Sequence, residues 1–139
     1  MRFIDTNVFL RYFVEDIPIR AAESRELFIA IDEGRIEAVT CEAVIAEIVY
    51  VLRSKKTYAW HVQEIHDRML PVLSLSGLTL PNREVYFRAL DLIIDHPFLD
   101  FEDAICTAHM ERLGISEIYS YDLGFDRIPG VKRVTPMAE

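Results

Sequence analysis

The sequence predicts an α/β fold in which helices cover both faces of a short parallel sheet. Short apolar segments with the length of strands alternate with longer segments of helical periodicity along the whole chain. The sequence contains no internal repeats and no low-complexity tracts. Such alternation is typical of a parallel sheet, because its crossover connections are helices. The length of 139 residues fits one domain of common size, so we expect a single domain over residues 1–139.

Five segments are predicted as strands from their short apolar character and the turn residues around them. The first begins at Met1, is expected to be buried and ends before Asp5. The last follows the Pro129-Gly130 turn. The predicted strands are Met1–Ile4, Arg35–Thr40, Leu78–Leu80, Ile115–Ser120 and Val131–Val134.

Six segments are predicted as helices from their periodicity and from start and stop signals. Pro18 is tolerated in a first helical turn, whereas Gly34 and Gly114 are typical helix ends. His96-Pro97 stops another helix, because the residue before a proline is biased away from helical angles. The predicted helices are Thr6–Phe13, Pro18 to Gly34, Cys41–Leu52, Tyr58–Leu70, Arg83–Asp95 with Asn82 as a cap, and a helix from about Asp100 to Gly114.

Composition favours a soluble protein of the cytoplasm. Apolar residues make up 51% of the sequence, which is typical of a globular protein. No apolar run reaches the roughly 18 residues that cross a bilayer, and the first residues do not resemble a signal peptide. Cys41 and Cys106 show no CxxC spacing, which suits a reducing compartment and argues against thiolate metal ligands. We therefore expect a cytoplasmic protein without membrane contact.

The net charge of −8 at first argues against a nucleic-acid partner. Five acids occupy positions that suggest a metal site: Asp5, Glu47, Asp100, Asp103 and Asp122. Without them, 18 of the 23 acidic residues remain against 15 Lys and Arg. Much of the surplus acidity is then site chemistry, and charge alone does not exclude RNA.

Glu47 is the most informative residue in the sequence. Of the ten residues from Ala43 to Leu52, nine are apolar and Glu47 is the exception. A helix that is apolar all round is buried, and a carboxylate is rarely buried unless it is paired or binds a metal. We predict that Glu47 is a metal ligand, with a buried salt bridge as the alternative.

Four aspartates are placed so that they could join Glu47. Asp5 and Asp122 follow predicted strands, and Asp100 and Asp103 are three residues apart at the start of a helix. Asp5 and Asp100 could instead be N-caps. Ligand sites in open α/β sheets lie beyond the carboxyl ends of the strands, so we expect the acids at one rim of the sheet. Ligation by oxygen alone suits Mg²⁺ or Mn²⁺ and the hydrolysis of a phosphodiester.

A short basic segment follows the Glu47 helix. It contains Arg53, Lys55 and Lys56. These residues could contact RNA phosphates. The alternative is a solvated connection whose positive charges favour the helix C-terminus.

Four segments together resemble a PIN domain, most closely the VapC-like toxins, which are the ribonucleases of toxin–antitoxin pairs. The resemblance extends from Met1 to about Pro136 and implies a three-layer α/β/α sandwich. The segments are Phe3-Ile-Asp-Thr-Asn7, Glu47 within Ala46-Glu-Ile-Val-Tyr-Val-Leu52, Asp100-Phe-Glu-Asp-Ala-Ile105 and Ser120-Tyr-Asp-Leu-Gly-Phe-Asp126. Leu123-Gly124 departs from the pattern, since many relatives carry a polar or basic residue there.

The resemblance implies a Mg²⁺- or Mn²⁺-dependent endoribonuclease that leaves 5′-phosphate and 3′-hydroxyl ends. It also implies an RNA substrate, a homodimer and a cognate antitoxin protein. The implied catalytic and metal-binding quartet is Asp5, Glu47, Asp103 and Asp122. Asp100 and Asp126 would be auxiliary metal-site acids, and Thr6, Asn7 and Ser120 would hold the carboxylates in place.

Three other functions are compatible with parts of this pattern. A haloacid-dehalogenase-like phosphatase needs a second acid two residues after the first, where this chain has Asn7. A phospho-receiver domain needs an acid pair after the first strand and gives Glu47 no role. A PIN-fold binding module for RNA or protein, without catalysis, would be favoured by loss of a quartet acid, and none is lost.

Overall fold

The computed structural model describes residues 1–137, so the expected single domain over residues 1–139 extends two residues beyond the described part. The chain divides into two compact units, Met1–Arg83 and Glu84–Glu139. Among the described residues, none of the helices combines the length and the hydrophobicity needed to cross a membrane.

The first unit contains a three-stranded parallel sheet. Its strands have the order β1-β2-β3, with Arg2 beside Ala38 and Val39 beside Thr79. The buried hydroxyl of Thr40 donates a hydrogen bond to the Ile4 carbonyl at 3.1 Å, which extends the contact between the ends of β1 and β2. The elements are β1 (Arg2–Phe3), α1 (Thr6–Phe13), α2 (Pro18–Asp32), β2 (Ala38–Val39), α3 (Glu42–Arg53), α4 (Val62–Leu73) and β3 (Leu78–Thr79).

Aromatic side chains pack α1 against α2. The rings of Phe9 and Phe28 are 5.3 Å apart, and Tyr12 contacts Phe28 edge-on at 4.9 Å. Phe9 and Phe28 are both buried. Since aromatic pairs of this geometry add to the stabilisation from burial, the relative position of the two helices is well fixed.

The second unit contains two parallel strands and two helices, with α5 starting at the last residue of the first unit. Ile118 in β4 lies beside Arg133 in β5. Gly114 follows α6 with a φ of 70°, the left-handed conformation of a glycine helix end. The elements are α5 (Arg83–Asp95), α6 (Phe101–Leu113), β4 (Glu117–Tyr119), a 3₁₀ turn (Leu123–Arg127) and β5 (Lys132–Val134).

The predicted α/β class is confirmed, because every strand pairing within residues 1–137 is parallel and helices separate the strands of each sheet. The predicted bounds of α5 are also correct. The expectation of a buried first strand is wrong. Arg2 and Phe3 are exposed, and only the following Ile4 is buried.

The predicted start of the fourth helix is wrong by four residues, since α4 starts at Val62 and not at Tyr58. The preceding residues complete the end of α3 instead. The Thr57 hydroxyl donates to the Val51 carbonyl, and the Trp60 N–H donates to the Leu52 carbonyl at 2.8 Å. Helix ends leave backbone carbonyls without helical partners, and this segment supplies the donors. At its other end, α4 continues through Pro71 to Leu73, three residues beyond the predicted end at Leu70.

Candidate active site

The Asp5 carboxylate is exposed at the carboxyl end of β1. Asp5 occupies the N-cap position of α1 with an extended backbone, at φ −84° and ψ 162°. Its side chain makes no capping hydrogen bond to this helix. An aspartate at this position normally accepts a backbone N–H bond. The Asp5 carboxylate therefore remains available to a ligand.

Glu47 is held at the start of α1 by a side-chain hydrogen bond. The Thr6 hydroxyl donates to Glu47 Oε2 at 3.0 Å, and Thr6 itself is buried, with 4% of its surface exposed. A buried donor has few alternative positions, so it orients the carboxylate. Because Thr6 directly follows Asp5 in the sequence, this bond brings the Glu47 carboxylate close to the backbone of Asp5.

The prediction that Glu47 is buried is wrong. Glu47 is exposed, and it shares an exposed stripe of α3 with Ala43 and Tyr50, at helical spacings of four and seven residues. The apolar composition of α3 did not imply that all of its faces are buried, because Ala and Tyr side chains are also common on solvent-exposed surfaces. The alternative salt bridge is not formed either, since Glu47 has no Lys or Arg partner within residues 1–137.

Asn7 is exposed and lines a groove between α1 and α2, here called the α1–α2 groove. The groove has a volume of about 610 Å³. Its lining residues are Asn7, Val8, Arg11, Arg20, Glu23, Ser24 and Leu27. Sequence reasoning missed Arg11 and Arg20, because nothing in their spacing distinguishes them from ordinary surface arginines.

Two aspartates of the second unit accept backbone hydrogen bonds. Asp100 caps α6, as the alternative interpretation predicted, and its Oδ1 accepts the Asp103 N–H at 2.9 Å. Asp122 Oδ1 accepts the Gly124 N–H at 2.8 Å, and the Asp122 N–H donates to Ser120 Oγ at 2.9 Å. These bonds fix the two carboxylates on the backbone.

Gly124 allows this arrangement of Asp122. A Cβ atom at position 124 would lie 3.1 Å from Asp122 Oδ1, closer than ordinary van der Waals contact. The sequence marked Gly124 only as a departure from its relatives. In the structure it provides space for a candidate catalytic carboxylate.

Asp103 lies partly buried at the start of α6, close to other acids. The pKa of the Asp103 carboxyl is raised to about 6, first by burial and then by the nearby carboxylates of Asp100 and Asp122. Like charges at short distance disfavour ionisation. The second unit therefore brings Asp100, Asp103 and Asp122 close together, whereas the neighbouring Glu102 is exposed.

Asp126 is bound by an arginine that sequence reasoning did not identify. Arg133 Nε and Nη2 donate to the two Asp126 oxygens at 3.1 and 3.3 Å. Arg133 Nη1 also donates to the Ser120 carbonyl at 3.2 Å. The two partners lie on a turn and on β5, so no local sequence pattern predicts the pair. Asp126 is thereby linked through Arg133 to Ser120, whose hydroxyl accepts the Asp122 N–H.

The basic segment after α3 is anchored at its base. α3 ends at Arg53, and Lys55 and Lys56 are exposed. The hydroxyl of the following Tyr58 lies 3.5 Å from Asp16 Oδ2 and accepts a hydrogen bond from Arg11 at 3.5 Å. The segment therefore presents its lysines to solvent from a fixed base.

The donors in these acidic groups are carboxylate oxygens, which suit Mg²⁺ or Mn²⁺. Over residues 1–137, no group of three or more His, Cys, Asp or Glu side chains is already arranged to hold a metal ion. Asp103 lies beside Asp100 and Asp122, whose like charges add to burial in raising its pKa, and a cation among these carboxylates would favour their ionised forms. The chemistry of the residues thus fits a divalent metal.

Comparison with known proteins identifies the family. The model of the PIN domain matches residues 2–131, nearly the whole chain. No protein with a curated description matches. The six α-helices of residues 1–137 and their short parallel strands are consistent with the three-layer α/β/α PIN fold. PIN domains are generally nuclease modules that commonly use divalent metal ions. The chain belongs to the PIN domain family.

Proposed function

We propose that this protein is a Mg²⁺- or Mn²⁺-dependent endoribonuclease that hydrolyses RNA phosphodiester bonds. The observation that carries the proposal is the family match together with the acids within it. All four quartet acids, Asp5, Glu47, Asp103 and Asp122, fall inside the matched residues 2–131. The structure supports the proposal because it leaves the Asp5 carboxylate unused by its helix and keeps Glu47 exposed.

The quartet acids are the proposed metal ligands. A bound divalent ion would lower the pKa of water and stabilise negative charge on the phosphoryl oxygens. Thr6 orients Glu47 through its hydroxyl, and Ser120 fixes the backbone of Asp122. Such supporting groups typically contribute 10- to 100-fold to metal affinity or activity, as a rough guide.

Asp100 and Asp126 are the proposed auxiliary acids, and they act differently. Asp100 accepts the Asp103 N–H and so fixes the first turn of α6, on which Asp103 lies. Asp126 binds Arg133, whose guanidinium also donates to the Ser120 carbonyl. Asp126 is therefore assigned a positioning role toward Asp122, through Arg133 and Ser120.

The finer proposal is a cytoplasmic VapC-like toxin that forms a homodimer and is inhibited by a cognate antitoxin protein. It is supported by the resemblance of the four acidic segments. Arg53, Lys55 and Lys56 are proposed to contact RNA phosphates, because the two lysines are exposed beside the helix that carries Glu47. A salt-dependent affinity for RNA is the expected consequence.

The test is cleavage of total cellular RNA by the purified protein with Mn²⁺, with product ends mapped by sequencing. EDTA and Asp103→Asn are the controls. We expect discrete cuts that require the metal and disappear in the variant. Intact RNA under every condition would contradict the proposal and favour a PIN-fold binding module.

A further inference from the structure

The α1–α2 groove contains an arginine that the fold does not use. Arg11 Nη1 is paired with Asp16 Oδ1 at 2.8 Å. The Arg20 side chain is exposed and forms no ion pair or hydrogen bond with any residue in the range 1–137. Because Arg11 is already paired, Arg20 is the lining cation that is left for an anionic ligand, although Glu23 also lines the groove and reduces its net positive charge.

Ser24 places in the groove a hydroxyl that no protein group uses. Only 7% of the residue's surface is exposed, and its side chain lines the groove without a hydrogen-bond partner in the described part of the chain. Within residues 1–137, Arg83 Nε is the one fully buried side-chain nitrogen or oxygen without a partner, so the Ser24 hydroxyl is open to the groove. A bound molecule with a polar atom at this position can form a hydrogen bond with it.

The remaining lining residues have the chemistry of a nucleotide site. Val8 and Leu27 are apolar and could contact a base, and Asn7 and Glu23 offer hydrogen-bonding groups for a base or a ribose hydroxyl. The volume of about 610 Å³ lies within the common range for small-molecule sites. Asn7, which lines the groove, follows the proposed catalytic Asp5 by two residues in the sequence.

We propose that the α1–α2 groove binds one nucleotide of the RNA substrate, with Arg20 contacting a phosphate and Ser24 and Asn7 donating or accepting hydrogen bonds. This inference rests on the proposed function, because it takes the ligand to be the RNA that is cleaved. Glu23 opposes the phosphate electrostatically and so limits the affinity for RNA.

The test measures binding of the full chain to a fluorescent single-stranded RNA by anisotropy, with EDTA present to prevent cleavage. Arg20→Gln is expected to weaken binding about tenfold and to reduce the slope of log K against log salt by about 0.7. The matched control is Arg25→Gln. It removes the same charge from the same helix, outside the groove, where Arg25 pairs with Glu15 at 3.1 Å. The control should bind within about twofold of the wild type.

A second pair of variants reverses the sign of the effect. Glu23→Gln keeps an acceptor oxygen and removes the negative charge, so RNA affinity should rise about two- to fivefold. Glu26→Gln, on the same helix but outside the α1–α2 groove, should leave affinity unchanged. Melting temperatures of all four variants verify that each is folded.

Wild-type affinity in Arg20→Gln would overturn the inference and leave the groove to a protein ligand. Equal losses in Arg20→Gln and Arg25→Gln would also overturn it, because they would indicate general charge attraction. Failure of the nuclease proposal is distinguishable. If the protein does not cleave RNA but Arg20→Gln binds RNA more weakly, the groove proposal stands and the nuclease proposal fails. If the protein cleaves RNA and Arg20→Gln binds RNA as the wild type does, the nuclease proposal stands and the groove proposal fails.

Discussion

The two units hold their candidate catalytic acids by different means. In the first unit, Asp5 makes no capping bond and Glu47 is exposed with a hydrogen bond from Thr6. In the second unit, Asp100 and Asp122 accept backbone N–H groups at 2.9 and 2.8 Å. Carboxylates of the same chemical type therefore accept no helix-capping bond in the first unit and accept backbone hydrogen bonds in the second.

This difference determines what a substitution can reveal. An acid that makes no contact needed by the fold can be replaced with little effect on stability, so any lost activity reports on the chemistry. An acid that caps a helix contributes about 1 kcal/mol to the fold, so its replacement mixes stability with activity. The first unit is therefore the cleaner place to test catalysis.

The largest expected effect comes from the acids of the first unit. Asp5→Asn and Glu47→Gln should each lower the rate of RNA cleavage at least about 100-fold, the scale of removing a catalytic group. Their melting temperatures should stay close to that of the wild type, because surface substitutions typically change stability by less than about 0.5 kcal/mol. Initial rates with Mn²⁺ and thermal melts measure the two quantities.

The matched control for this pair is Glu64→Gln, an exposed acid in the first turn of α4. It should cleave RNA at the wild-type rate. Unfolding of metal-free Glu47→Gln would contradict the account, since it would show that Glu47 is structural.

The next largest expected effect is the difference in stability between substitutions at the two N-cap positions, Asp100 and Asp5. Asp100→Ala should lower the free energy of unfolding by about 1 kcal/mol, because it removes the bond to the Asp103 N–H. Asp5→Ala should lower it by less than about 0.5 kcal/mol. Urea denaturation without metal measures both. Equal losses at the two positions would remove the distinction between the units.

The pH dependence of stability should report on Asp103. Its pKa is raised to about 6 in the folded state from an ordinary value of 3.8, so the folded protein holds this proton more tightly than the unfolded chain does. The stabilisation from this proton is fully present below the ordinary pKa and is lost as pH rises through about 6. Urea denaturation without metal between those values should show stability falling with pH.

Asp103→Asn should remove that part of the pH dependence and should be at least as stable as the wild type at neutral pH, because the variant carries no charge beside Asp100 and Asp122. Asp91→Asn, an exposed acid on α5, serves as the control. An identical pH profile in Asp103→Asn and the wild type would show that Asp103 does not titrate in this range.

The smallest expected effect concerns the link from Asp126 to Asp122. Asp126→Asn and Arg133→Gln should each lower stability by about 0–1 kcal/mol, as is usual for exposed ion pairs, and lower the cleavage rate only a few-fold. Because both residues act through the same contact with Ser120, the double variant should be no worse than either single one. Additive losses would instead assign Asp126 an independent role.

Much of the fold could be predicted because local signals determine it. Pro18 at the start of α2 and Gly114 at the end of α6 set helix bounds through backbone geometry alone. The start of α4 could not be predicted, because it depends on hydrogen bonds that Thr57 and Trp60 donate to the last carbonyls of α3. These hydrogen bonds join residues six and eight positions apart in an irregular turn, which leaves no periodic pattern in the sequence.

The acids of the proposed site are a prediction from their positions in the sequence, and their surroundings could not be predicted. Glu47 was singled out for a burial that it does not have, since composition does not fix which face of a helix is covered. The Asp126–Arg133 pair joins a turn to a strand, and the α1–α2 groove lies between two helices. Such contacts depend on how the elements pack together, which a single sequence does not reveal.

The most direct test of the account is the change in melting temperature that Mn²⁺ produces in the wild type, Asp5→Asn and Asp103→Asn. A ligand that binds only the folded state stabilises it by about 1.4 kcal/mol at ten times its dissociation constant. We expect a rise of several degrees in the wild type. Each variant should fold without metal and lose most of that rise. An unchanged wild-type melting temperature at millimolar Mn²⁺ would contradict the assignment of these carboxylates as metal ligands.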